Sequence, residues 1–395
     1  MSVPTHNLYD FIHQTTENQY IVKYFYPWGS RDINCLIDQI TGSDVERKKQ
    51  LVPMVDNIFR HASQHFSWTS FQPVLLCHDQ EPLNFNLYAN NSANLRQVKT
   101  GGGEPTISYY KKWILLHSEK NSLEVEKYKQ SNLFEPVHWW CHSIIARDWY
   151  RYAEHDLNFT KKSSKKRFLI YARASDGTRI YRKNFLQMIP SDNSQIGSFD
   201  SHLPITSDSS ATYNAVDYAN TDMSIILETI TDRIHLTEKT CRAIACKHPF
   251  LLVAGQGSLQ YLKKYGFKTF APIINEEYDR EPDLEKRMKM VANEMHRVKT
   301  MNTDQMKKLT EIAEYNHKRF FSKDFFGQVV NELKTNVNKA RSAATTIDYR
   351  YLYRDQMQRP KTDPRYIKRR PYILSLIQHL RKGGTLDDYV PPDLD

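Results

Sequence analysis

Short apolar runs alternate with longer amphipathic stretches along this chain. A strand covered on both faces has no polar side to show, so a run of four to six apolar residues between polar or Gly/Pro positions reads as a buried strand. On this basis 74–77 and 113–116 are strands of a first unit, and 137–152, of helical length and rich in aromatics, follows as a helix. The polar, basic stretch 160–167 has the composition of a linker.

The pattern is clearest after that linker. Strands are expected at 168–171, 223–227, 249–254 and 267–270, and helices at 238–247 and 258–265, the latter with Ser258 as N-cap and Gly266 just past its end. Strands alternating with helices at these lengths predict a parallel sheet with right-handed crossovers, whose ligands sit beyond the carboxyl ends of the strands. Residues 280–340 are charged and helix-rich. The tail from about 345 is basic and aromatic, with a further helix expected over 371–382. The expectation is an α/β chain with an acceptor-side unit at 1–160, a nucleotide-binding unit at 165–340 and a helical, basic extension at 341–395 that packs back on the first.

Composition narrows the partners. The 395 residues are 40% apolar and 12% aromatic, enough for two cores. A net charge of +10 favours an anionic partner: nucleic acid, an anionic membrane surface or a phosphorylated small molecule. The five cysteines (Cys35, Cys77, Cys141, Cys241 and Cys246) are scattered with no C-x-x-C pair, a pattern of buried thiols in a reducing compartment. No charged leader precedes an apolar run, and no stretch approaches the ~18 apolar residues of a membrane span. A cytoplasmic protein is expected.

Candidate chemistry lies at the strand ends. Glu228 follows a strand, and Thr237-Glu238-Lys239 opens a helix ten residues on. A helix N-terminus and a lysine favour phosphate, and a carboxylate can accept from both ribose hydroxyls. The plainer alternative is a first turn whose acid complements the helix dipole. Arg173, Arg179 and Arg182 follow 168–171 around the Asp176-Gly177 turn, which suits a diphosphate clamp or, more simply, a solvated basic loop. In the first unit, Cys77-His78-Asp79-Gln80-Glu81-Pro82 follows a strand. Asp79 and Glu81 are both candidates for a general base on an acceptor hydroxyl, the alternative being that His78 and Asp79 cap a turn. His117, Ser118 and Glu119 end the next strand and would line the same cleft. His138 and His142, four apart on one expected helix face, line that cleft or the core. No acidic ligand completes a metal site with them, and D-x-D occurs only at Asp393-Leu394-Asp395. With arginines and lysines to neutralise a leaving diphosphate, metal-independent chemistry without a cofactor is expected.

The segment from Glu228 to Lys239 resembles the donor motif of the α1,3-fucosyltransferase family, which reads E-N-S, a short spacer, then Y-x-T-E-K. Thr229 stands where that motif has Asn and His235 where it has Tyr. Arg242 and Gly255 also match, and Glu81-Pro82 is a looser match to the family's first-lobe E-S-P. The resemblance implies a GT-B fold of two Rossmann-like lobes facing a central cleft, with Glu238 on the ribose and Lys239 on the diphosphate. Because Thr229 and His235 fall near the base or sugar in that family, GDP-fucose is not implied, and a UDP-sugar is favoured as co-substrate. More of the chain is similar to a family of phage-encoded glycosyltransferases, through 78–82, 142–151, 171–182 and 237–250. Phages related to the T-even group use such enzymes to place glucose or arabinose on 5-hydroxymethylcytosine. The resemblance therefore implies double-stranded DNA as acceptor, in keeping with the net charge. A glycan, lipid or protein acceptor, and a non-enzymatic nucleic-acid-binding protein, are the alternatives.

Overall fold

The computed structural model describes residues 5–17, 20–24, 74–78, 82–85, 113–130, 134–160, 166–172, 175, 177–189, 192, 194–197 and 211–345, with 375, 378, 379 and 382 of the tail. Asp79, Glu81, Arg173 and Cys35 lie outside the described residues, as do most of the tail and most of the helix expected at 371–382.

Two four-stranded sheets form, each parallel throughout. The first runs β1 (Ile21–Tyr24), β2 (Val74–Cys77), β3 (Trp113–His117), β4 (Phe134–His138), in that spatial order. Helix α1 (Thr5–Thr15) precedes it, α2 (Leu123–Gln130) joins β3 to β4, and α3 (Cys141–Trp149) follows. The expected helix at 137–152 is thus a strand end and a separate, shorter helix. Pro136 has no amide to donate, which a strand at the edge of the described sheet tolerates. His138 and His142 therefore do not share a helix face. His138 ends β4, with Nδ1 3.1 Å from Glu332 and Nε2 3.1 Å from the Tyr261 hydroxyl.

The second sheet contains β5 (Lys166–Tyr171), β6 (Ser194–Gly197), β7 (Thr221–Leu227) and β8 (Phe250–Val253), in the spatial order β6-β5-β7-β8. Lys166 and Arg167, read as linker, already belong to β5. Helices α4 (Tyr181–Leu186), α5 (Ala215–Ala219), α6 (Glu238–Ala245) and α7 (Ser258–Lys264) lie between and after the strands. The chain moves one way from β5 to β6 and the other way from β7 to β8. This makes a topological switch point between β5 and β7, where open α/β sheets form a crevice at their carboxyl ends.

Two local expectations differ. The cap of α7 is Gly257, at φ 82, and not Ser258. Ser258 instead donates to the Gly255 carbonyl at 2.6 Å, and the Asp279 carboxylate accepts the Leu259 and Gln260 amides at 2.9 and 3.3 Å. Residues 267–270 join no sheet. The Asn316 side chain brackets the Lys268 backbone, accepting its N–H and donating to its carbonyl, each at 2.8 Å. These backbone groups are satisfied without a ladder.

Helices α8 (Leu284–Lys299), α9 (Thr303–Phe321) and α10 (Lys323–Thr345) complete the described chain. Asn302 and Gln305 form a reciprocal capping box on α9. Helix α10 returns to the first sheet and packs on β3 and β4. Trp139 Nε1 donates to the Val329 carbonyl at 3.0 Å, and Asn336 donates to the His138 carbonyl at 2.9 Å. The span expected for the second unit thus ends on a helix that belongs to the first sheet. Between α9 and α10 the backbone is extended at Ser322, and the Arg147 guanidinium holds the carbonyls of Phe320, Phe321 and Ser322 at 2.5, 2.6 and 3.1 Å. Among the described residues no helix is long and apolar enough to cross a membrane. Cys77, Cys141, Cys241 and Cys246 are buried and not joined in disulfides.

Candidate functional site

The connector from β7 to α6 is shaped by Glu228. Its side chain is fully buried. One carboxylate oxygen accepts the Thr237 N–H at 3.0 Å and the Thr240 hydroxyl at 2.6 Å, and the other accepts the Thr237 hydroxyl at 2.6 Å. Glu228 therefore shapes the motif from within. Thr237 is the N-cap of α6 and accepts the Lys239 N–H at 3.4 Å. The Lys239 ammonium is folded onto Thr229 Oγ1 at 3.2 Å, Thr237 Oγ1 at 3.0 Å and Glu238 at 3.0 Å. Glu238 keeps its side chain 17% exposed. Burial pushes its pKa up, but Lys239, His142 and Arg242 outweigh burial and hold it at about 2.

This connector meets the first sheet at a seam. Lys120 and Ile234 form an antiparallel bridge, with N–H to O distances of 2.9 and 3.1 Å. Arg233 donates through Nε to Glu119 at 2.7 Å and through Nη2 to the Leu83 carbonyl at 2.9 Å. Glu119 also accepts from Leu83 N–H at 2.6 Å and Ser122 Oγ at 2.5 Å. Burial raises the Glu119 pKa despite Arg233 and Ser122. Trp140 Nε1 reaches the Leu236 carbonyl at 2.9 Å. On its own side, Gly255 lets the end of β8 approach this connector closely, since a Cβ there would lie 2.0 Å from the Arg233 carbonyl oxygen. The segments beyond the carboxyl ends of β2, β3, β7 and β8 thus converge.

Four imidazoles are buried here: His78, His117, His142 and His235. His142 and His235 meet edge to face with ring centroids 4.9 Å apart, and Ser118 Oγ lies 3.3 Å from His235 Nδ1. His117 Nδ1 accepts the Glu119 N–H at 3.2 Å. Burial, reinforced by neighbouring imidazoles and cations, lowers His78 to about 3 and puts His117 and His235 well below the usual range. Burial also lowers His142 to about 4, with Glu238 opposing and Lys239 assisting. All four are neutral at pH 7 and far below the pKa that suits a general base there. Asp79 and Glu81, the candidates the sequence offers for that role, lie outside the described residues.

At the switch point between β5 and β7 lies a cavity of about 40 Å³ lined by Tyr171, Arg182, Tyr218, Leu227, Lys239 and Arg242. This is room for a water or two. Arg182, expected on phosphate, is buried and donates to the carbonyls of Leu227 and Glu228 at 3.1 and 3.0 Å. The Arg242 guanidinium lies 4.6 Å from the Tyr171 ring centroid. Arg179 closes a short 3₁₀ turn, Gly177–Arg179, near the Tyr181 hydroxyl.

Of the residues singled out from sequence, the seam brings together His78, His117, Ser118 and His142 with His235, Thr237, Glu238 and Lys239. Arg182 lines the switch-point cavity with Lys239, and Arg179 lies near Tyr181. The tie through Arg233, and the cavity walls Tyr171, Tyr218 and Arg242, had no assigned role. Neither Arg233, in a connector that is polar at most positions, nor Tyr218 carried a local signal of these contacts. Among the described residues no group of three or more His, Cys, Asp or Glu is arranged to hold a metal. No protein-family model, curated protein or solved structure matches this chain.

Proposed function

We propose that the protein is a GT-B glycosyltransferase that moves a sugar, glucose or arabinose, from a UDP-linked donor to the hydroxymethyl group of 5-hydroxymethylcytosine in DNA. The observation that carries the reading is the small cavity enclosed by β5, β7 and α6 at the switch point, whose lining includes the cations Lys239, Arg182 and Arg242. Such crevices take ligands, and cations with a helix N-terminus favour phosphate. In this reading Lys239 leaves Thr229 and Thr237 to meet the diphosphate, and the cavity opens as it does so. Glu238, at the rim, accepts from the ribose hydroxyls. Asp79 or Glu81, the first unit's candidate carboxylates, takes the proton of the acceptor hydroxyl as its oxygen bonds to the anomeric carbon. The bond from that carbon to the diphosphate breaks, and the cations neutralise the departing charge. The net charge of +10 supports an acceptor made of DNA.

The test is a transfer assay. Duplex DNA containing 5-hydroxymethylcytosine is incubated with UDP- and GDP-sugars, digested to nucleosides and weighed. A pentose or hexose increment supports the reading. Donor-dependent release of nucleoside diphosphate without an increment moves the acceptor to a glycan, lipid or protein. Neither outcome from any donor defeats the transferase reading. Lys239→Met is expected to weaken donor binding about tenfold or more.

A further inference from the structure

His142 and His235 come from different sheets' segments and meet at the centre of the seam. Their residues are 2% and 1% exposed, and the Nε2 atom of each is buried without a hydrogen-bond partner. A buried polar atom left unsatisfied costs on the order of 1–3 kcal/mol, and native proteins keep few of them. Two in contacting rings call for an explanation. An N–H directed at the neighbouring ring face accounts for one at most, because in an edge-to-face pair only one ring presents its edge to the other.

The surroundings narrow what is missing. Both rings are neutral at pH 7, so each Nε2 donates or accepts according to its tautomer. Lys239 and Arg233 already impose positive charge nearby, which disfavours a cation. A neutral imidazole offers an anion no charge to pair with. What suits two neutral imidazole nitrogens is a group that both donates and accepts and carries no charge. Ser118 Oγ, at His235 Nδ1, couples the tautomer of that ring to the orientation of a hydroxyl on the first sheet's side.

We propose that His142 and His235 form a recognition point for an uncharged ligand hydroxyl at the seam between the two sheets. The inference rests on the transferase reading, in which such hydroxyls belong either to the sugar of the donor or to the acceptor. It assigns a pair of positioning residues beside the diphosphate site and leaves the proton transfer to a carboxylate.

The imidazole ¹⁵N signals of the full chain report on this directly. They are followed while the protein is titrated with UDP, with UDP-glucose, and with duplex DNA carrying either cytosine or 5-hydroxymethylcytosine. Calorimetry on the same samples reports binding independently. Movement of the His142 and His235 Nε2 signals with UDP-glucose but not UDP supports the pair and assigns it to a donor hydroxyl. Movement with hydroxymethylated but not plain DNA supports it and assigns it to the acceptor. Calorimetric binding with both signals unmoved overturns the inference and leaves the transferase reading standing. No binding of any ligand overturns both. As a second readout, His235→Phe, which keeps a ring in the packing, is expected to lose about tenfold in affinity for the ligand that moves the signals and to keep its affinity for UDP. Equal affinities for both ligands before and after the substitution would overturn the assignment.

Discussion

Glu119 and Arg233 pair across the seam at 2.7 Å, their side chains only 1% and 10% exposed. Each also holds the backbone of Leu83, Glu119 through its N–H and Arg233 through its carbonyl. The segment after β2 is thereby tied to the connector that carries Thr237, Glu238 and Lys239. Removing one member of a buried pair strands the other charge, at a cost of about 3–5 kcal/mol. We expect Arg233→Met and Glu119→Gln each to lower stability to denaturant by about 3 kcal/mol. Because the two share one interaction, the double variant should lose less than the sum by about 1–3 kcal/mol. Simple additivity would mean the pair contributes nothing.

The buried imidazoles set a pH dependence. His78 and His142 titrate at about 3 and about 4 in the folded chain, against 6.5 for the exposed group. A base whose folded pKa is depressed takes up its proton on unfolding. Its stabilisation is fully present above pH 6.5 and is lost as pH falls toward the folded value, by up to about 1.4 kcal/mol per pH unit for each group. Glu238, depressed from 4.5 to about 2, acts in the same direction in a lower window. Glu119, raised by burial, opposes it above its ordinary value. Urea unfolding of the protein between pH 7 and 5 should show stability falling with acidification, and His142→Gln should flatten the slope. An unchanged slope in the variant would remove His142 from the account.

Three glycines separate close approach from backbone strain and helix propensity. Gly255→Ala drives a Cβ into the Arg233 carbonyl, so it should cost at least about 1–3 kcal/mol, the range of overpacked cores. Gly177 has open space but φ +51, and alanine there should cost about 1–2 kcal/mol. Gly327, within α10, has open space and no such φ, and alanine should stabilise by roughly 0.5–1 kcal/mol. Thermal melts of the three variants, ranked against the parent, check the order.

Stability and ligand binding should separate at the α6 N-terminus. Glu228→Ala leaves a buried N–H and two buried hydroxyls without their acceptor and is expected to cost about 3 kcal/mol or more. Lys239→Met removes a partly exposed ammonium and should change stability by less than about 1 kcal/mol, while weakening donor binding. Calorimetric titration with the sugar nucleotide alongside urea unfolding distinguishes the two. A large stability loss in Lys239→Met would make the lysine a structural residue.

Three strands of the second sheet were legible as apolar runs, most plainly Phe-Leu-Leu-Val at β8, whereas β6, Ser-Gln-Ile-Gly, carries too little apolar sequence to be read as a strand. Phe267-Lys268-Thr269-Phe270 has the length and β-favouring residues of a short strand, yet the backbone of Lys268 is satisfied by Asn316, 48 residues away. No local pattern contains that partner. The strand β4 was hidden because Glu135 and Pro136 break its apolar run. The spacing from Glu228 to Thr237-Glu238-Lys239 marked the connector between β7 and α6, but not that Glu228 serves the threonines. Arg233 gained its meaning from Glu119 and Leu83, 114 and 150 residues away. His142 and His235 were legible as separate candidates and not as a pair.

Helix α10 makes the chain a closed circuit. The backbone passes from the first sheet to the second between Thr160 and Lys166, and passes back at Ser322, where Arg147 grips the turn. A single protease nick at the first passage would leave both halves spliced by the second, with Trp139 still seated on Val329. The sheets are therefore expected to melt in one cooperative step. Rotation of one sheet against the other would have to be taken up at two places at once, one of them the turn that Arg147 grips.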